Sequence, residues 1–106
     1  MAREGFSGHL DLVLLASLRD QPMHGYALIE HVRLASQGHF DYPEGTIYPA
    51  LRRLEDEGLV RSRWSDADTR RRRIYALTAK GQRALVSQRT EWSRYIGSVE
   101  AVLGHG

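Results

Sequence analysis

Apolar residues recur at helical spacing in four segments of this chain, interrupted once by two short runs that read as strands. Leu10, Val13, Leu14, Ala16 and Leu18 give a broad apolar face to a first helix, over about residues 8–19. The pair Gln21-Pro22 ends it, because proline disfavours helical backbone in the residue before it. Tyr26, Leu28, Ile29 and Val32 predict a second helix over residues 25–36, and residues 38–43 form a turn. A third helix is predicted over residues 44–57, closed by Gly58, which is suited to the left-handed backbone that follows a helix end. Strands are expected at 59–64 and 72–77, with 66–70 as the turn between them. Thr78 is a good N-cap for a last helix running from residue 79 to about 103.

The third helix carries two contrasting faces. At about 100° per residue, Ile47, Leu51 and Leu54 fall on one stripe and form its core side. Gly45, Pro49, Arg52 and Asp56 lie opposite, with Thr46, Tyr48 and Arg53 on the flanks. The outward N-terminal end is therefore small or hydrogen-bonding. That suits a helix end pressed into a groove, where bulk would hold the backbone off and the helix dipole favours phosphate. Pro49 is expected within the first turn or so, where a missing amide proton does least harm. Glu55, Asp56 and Glu57 gather at the other end and are expected to point away from the groove.

Charge sharpens this picture. The formal net charge is only +2, but residues 61–73 hold six arginines (61, 63, 70, 71, 72 and 73) against Asp66 and Asp68. Residues 44–57 hold two arginines against four acids. Positive potential is thus concentrated in the hairpin, where phosphate binding would use it. A short helix followed by an arginine-dense hairpin is the layout with which a winged helix-turn-helix meets double-stranded DNA, helix in the major groove and hairpin along the phosphates. The expected fold is mainly α with a small β-hairpin. It comprises a winged helix-turn-helix DNA-binding domain at 1–78 and a long C-terminal dimerisation helix at 79–106, within one compact unit.

Composition narrows the alternatives. The 106 residues include no cysteine, so there is no disulfide framework and no thiolate metal site, which is compatible with a reducing, cytoplasmic setting. The longest apolar run, residues 12–16, is far too short to cross a bilayer, so no membrane partner is expected. The first residues, with Glu4 and Asp11, lack the pattern of a signal peptide. No glycine-rich phosphate loop or nucleophile elbow is present, so neither enzymatic chemistry nor a cofactor is expected. Of five histidines, His24 and His31 are seven apart and can share a helical face, but nothing completes a tetrahedral metal set at convincing spacing. Two readings stand beside the DNA-binding one: a winged-helix module for protein–protein contact, and a histidine-based metal-sensing regulator.

The last helix points to self-association. Leu85, Trp92, Ile96, Val99 and Leu103 follow spacings of 7, 4, 3 and 4, a coiled-coil-like seam. A 25-residue helix is roughly 38 Å long, more than a winged domain of this size can cover. Its far half would expose an apolar surface, and a second copy packing through the first and last helices is the expected cover. The expected interface is Leu85, Trp92, Tyr95, Ile96, Val99 and Leu103. Gly97 weakens the helix locally, by roughly 1 kcal/mol relative to alanine, or lets a neighbour approach.

Three stretches resemble the PadR family of bacterial transcriptional regulators: LDLVLLASLRDQPMHGYALIEHV at 10–32, EGTIYPALRRLEDEGLV at 44–60 and YALTAKG at 75–81. They contain His-Gly-Tyr opening the second helix and Gly-Thr-aliphatic-Tyr-Pro in the third. An Arg-Leu-Glu…Glu-Gly-Leu exit and Tyr-x-Leu-Thr-x-x-Gly after the hairpin complete the pattern. The departures, Ile74 in place of a frequent aromatic and the plain Arg71-Arg72-Arg73 approach to it, bear on hairpin packing. The resemblance implies a homodimer that usually represses its target by binding operator DNA and is released by a small, often aromatic, effector. Carried over by position, it implies DNA contacts from Thr46 and Tyr48, joined on the same helix by Pro49 and Arg52. Tyr26 would face the backbone and Arg70, Arg71, Arg72 and Arg73 would hold phosphates. His24 reads as a DNA contact or as a helix cap, and Tyr26 and Tyr48 read equally as packing between helices. Trp92, with Ile96, is placed to form a ligand platform at the dimer interface or to serve as core of the seam.

Overall fold

A computed structural model describes residues 9–66 and 71–104. The elements run α1 (His9–Asp20), β1 (Met23–His24), α2 (Gly25–Ala35), α3 (Glu44–Asp56), β2 (Val60–Ser65), β3 (Arg72–Leu77) and α4 (Ala79–Leu103). The helical periods place Leu14 and Leu15 of α1, Leu28 of α2, and Ile47, Leu51 and Leu54 of α3 in one fully buried cluster, joined by Val60. The stripe of α3 is thus its core side, and Gly45, Pro49, Arg52 and Asp56 are exposed opposite it.

The sheet has three strands rather than two. β3 lies in the middle, with β2 antiparallel on one side and the two-residue β1 antiparallel on the other. Met23 pairs with Tyr75 and His24 with Ile74. Two residues carry no period that a sequence could display, so β1 is visible only through its partner. It welds the start of α2 to the hairpin.

β2 begins and ends one residue later than expected, and the reason is local. Gly58, at φ +78°, follows the C-cap Glu57 of α3. The amide of Leu59 donates to Leu54 O at 2.9 Å, and that of Gly58 to Glu55 O at 2.9 Å. These are the two bonds of a Schellman motif, so Leu59 belongs to the helix end and is buried against it. Pro49 also needs correction: counted from Glu44 it is the sixth helical residue, in the second turn, where it removes the amide that would bond to Gly45 O.

The exit of α3 is tied to the entry of α4. Thr78 Oγ1 accepts from the Gly81 amide at 2.9 Å, as an N-cap should, and donates to Gly58 O at 2.7 Å. The Thr78 amide donates to Leu59 O, and Lys80 Nζ donates to Glu57 O at 2.9 Å. Beyond this junction α4 leaves the body of the protein, which measures 55 × 28 × 23 Å along its principal axes. Leu85, expected in the dimer seam, is only 3% exposed and belongs to the chain's own core. It lies near the helix start, where the chain's own winged domain covers it. Trp92, Tyr95, Val102 and Leu103 are exposed, and Ile96 and Val99 are partly so. No helix among the described residues is long and apolar enough to cross a membrane.

Candidate nucleic-acid interface

The entry of α2, the outer face of α3 and the hairpin converge on one side of the molecule. A recess of about 210 Å³ opens there, lined by His24, Gly25 and Tyr26 from α2 and its cap, Tyr48 from α3, and Arg71, Arg72 and Arg73 from the hairpin. A second recess, of about 400 Å³, continues along α3 over Tyr48, Pro49, Arg52, Arg53 and Asp56. Tyr48 is common to both. The residues expected from sequence to contact DNA line these two recesses, except Thr46, which is partly buried on α3 outside both, and Arg70, which lies outside the described residues.

Gly25 explains how Tyr48 reaches this position. A methyl group at Gly25 would overlap the Tyr48 ring at its hydroxyl end. The missing side chain is the seat on which the ring rests, so the His-Gly-Tyr and Gly-Thr-aliphatic-Tyr-Pro motifs are two halves of one contact. Burial, with the Glu44 carboxylate adding to it, pushes the Tyr48 phenol above its usual pKa. Tyr48 thus stays a neutral hydroxyl, able to donate to an acceptor such as a phosphate oxygen.

His24 is the N-cap of α2. Its Nδ1 faces the Ala27 amide at 3.3 Å and its Nε2 lies 2.8 Å from Arg72 Nη1. Both partners are donors, and a neutral imidazole offers one acceptor nitrogen, so the ring satisfies one of them at a time. Tyr26 is exposed, and its hydroxyl donates to Glu44 Oε2 at 2.6 Å. It links the first residues of α2 and α3.

The hairpin arginines divide by strand alternation, which turns successive side chains to opposite faces. Arg72 turns to His24. Arg71 and Arg73 turn the other way, and the guanidinium carbon of each lies 4.7 Å from the ring centroid of Trp64. Arg71 Nε also lies 3.5 Å from Asp66 Oδ1, an exposed pair of little energetic weight. Trp64 was not among the residues expected to matter. Its signal was present only as position: it stands directly across from Arg73 in the register, which a sequence does not reveal until the pairing is known. A further residue missed was Asp11 of α1, which bonds Arg53 of α3.

On α4, the rings of Trp92 and Tyr95 stack with centroids 6.3 Å apart. The expected ligand platform and its neighbour Ile96 thus lie far along α4 from the basic surface, on a separate part of the chain.

Comparison with known proteins gives the family. Residues 14–87 match the family described as Transcriptional regulator PadR-like family. The chain is 38% identical over 78 residues to Transcriptional regulator Rv3488 of Mycobacterium tuberculosis, covering 74% of this chain and 70% of that protein. It is 33% identical over 91 residues to Transcriptional regulator YqjI of Escherichia coli, covering 84% of this chain but only 42% of that longer protein. A PadR family transcriptional regulator from Eggerthella lenta superposes with a TM-score of 0.81 at 33% identity, covering 94% of this chain and 86% of the other. The chain belongs to the PadR-like family of transcriptional regulators, which are DNA-binding proteins and not enzymes.

Proposed function

We propose that this protein is a homodimeric repressor that holds operator DNA through α3 and the hairpin and releases it when a small effector, of which an aromatic one is an example, binds between its α4 helices. The observation that carries the reading is the recess shared by the α2 entry, Tyr48 and the three hairpin arginines. A helix N-terminus, a neutral phenol and the Arg72 guanidinium, in a recess that Arg71 and Arg73 also line, supply donors for backbone phosphate. From that anchor Thr46, Tyr48, Pro49 and Arg52 meet the major groove, while His24, Tyr26 and Arg70 to Arg73 hold the flanking phosphates.

The dimer follows from α4. Two recognition helices engage both halves of an operator only when spaced about one turn of DNA apart, roughly 34 Å or a multiple. Pairing through Trp92, Tyr95, Ile96, Val99 and Leu103 would cover the apolar length of α4 and fix that spacing. An effector stacked on Trp92 beside Ile96 would act by preferring a tilt of the two winged domains that DNA does not accept.

The test is fluorescence anisotropy with duplex DNA from upstream of the protein's own gene and a scrambled duplex, at several salt concentrations. Tight binding to the upstream duplex alone, with two chains per site, is the expected result. Absence of binding to either at low salt would overturn the DNA-contact surface and favour a protein-interaction module.

A further inference from the structure

Trp64 lies outside the recess, yet it stands half exposed on β2, at 50%. Its register partner is Arg73, and Arg71 and Arg73 both place their guanidinium carbons 4.7 Å from its ring centroid. That is well within the range of a cation–π contact. A guanidinium held over a ring uses its face and keeps its in-plane N–H donors for other partners. Arg71 Nε lies 3.5 Å from the exposed Asp66 Oδ1, a weak pair, and its Nη donors can still meet a phosphate. Arginine side chains rich in rotamers lose freedom when an interface immobilises them, and an indole that orders them beforehand reduces that loss.

We propose that Trp64 is a positioning residue for DNA binding, a platform that holds the Arg71 and Arg73 guanidinia in place for phosphates before DNA arrives. The inference rests on the reading that the hairpin touches DNA. Arg72, turned to His24 on the other face, is outside its control. Trp64 acts through the arginines, so its contribution is to affinity for DNA of any sequence and not to the choice of operator.

The experiment uses the full chain, with Trp64→Ala, Trp64→Leu and Trp64→Phe, each alone and each combined with Arg71→Gln and Arg73→Gln. Binding to the upstream duplex and to a scrambled duplex is followed across a salt series, with thermal melting as a control on folding. Trp64→Ala and Trp64→Leu are expected to weaken binding to both duplexes by about fivefold to tenfold, as lost ordering of two side chains would do. The slope against log salt should hold, since the same phosphates are still met. Trp64→Phe, which retains a π face, should restore most of the affinity. In the background lacking both arginines the Trp64 substitutions should have no further effect.

Wild-type affinity in Trp64→Leu overturns the proposal, as does an undiminished Trp64 effect when the arginines are absent. Trp64→Leu also serves should Trp64→Ala melt early, because it keeps apolar bulk across the strand pair. A wild-type salt slope in the chain carrying only Arg71→Gln and Arg73→Gln is a different failure. It would show that the hairpin does not meet DNA, and would overturn the underlying reading along with this one.

Discussion

Arg53 clasps Asp11 across 42 positions of sequence, with Nη1 at 3.0 Å and Nη2 at 2.5 Å from the two carboxylate oxygens. The pair fastens α3 to α1. Asp11 is largely buried, and its hydrogen bonds are the main reason the Arg53 guanidinium is held above its usual pKa, against the opposing effect of burial. Adjacent Arg52 lies on the exposed face over the second recess. Two neighbouring arginines on one helix therefore have different work, one internal and one outward.

Asp11→Asn and Arg53→Ala should each cost about 1 kcal/mol of stability, a figure kept low because Arg53 is half exposed. Urea unfolding should show a lower midpoint at unchanged slope. The double variant should lose much less than the sum, since both substitutions break one contact. Arg52→Ala should shift stability by less than about 0.5 kcal/mol while weakening DNA binding. Equal stability losses at 52 and 53 would contradict the assignment.

Salt titration separates the hairpin arginines. Arg71→Gln and Arg73→Gln are each expected to flatten the dependence of log K on log salt by about one. Arg72→Gln should do the same and also lower the melting temperature, because it loses the 2.8 Å contact with His24 that joins the hairpin to α2. A melting temperature unchanged in Arg72→Gln would show that this contact adds nothing to the fold.

Gly25→Ala tests the seat of Tyr48. The new methyl overlaps the ring, which must swing away, so operator affinity should fall by about tenfold, equivalent to about 1.4 kcal/mol. Gly25→Ala combined with Tyr48→Ala should bind no worse than Tyr48→Ala alone. Additive losses in anisotropy would mean that Gly25 contributes independently of the ring.

Val99→Glu addresses the association of α4. A charge in an apolar helix pair carries a desolvation cost of several kcal/mol when unpaired, so sedimentation equilibrium should show a shift towards monomer with helical content retained. Trp92→Ala should alter the response to effector while leaving the monomer fold intact. A Val99→Glu chain sedimenting as wild type would place the interface elsewhere.

Much of this molecule was legible in its sequence because most of its elements announce themselves locally. Glycine, proline and threonine mark the helix ends, and the period of α3 separates Ile47, Leu51 and Leu54 from the outward face without reference to the rest of the chain. What stayed hidden depends on partners distant in sequence. β1 exists only beside β3, and Asp11 gains its role from a residue 42 positions away; Leu59 is different, joined to α3 by a local bond to Leu54 that the hydrophobic pattern does not mark. Leu85 misled for the opposite reason. Its spacing fits the seam, but spacing along a helix does not say which body covers each turn, and its own domain covers this one.

The knot of hydrogen bonds between the exit of α3 and the entry of α4 has a mechanical consequence. Lys80, Thr78 and the Gly81 amide join the two helices through Glu57, Gly58 and Leu59, so the helices meet in a stiff elbow with the hairpin looped outside it. The junction gives α4 a route to the foot of α3 beside the one through the core that holds Leu85. On the proposed mechanism, a twist of α4 brought about by an effector would be passed on through this junction as a swing of α3.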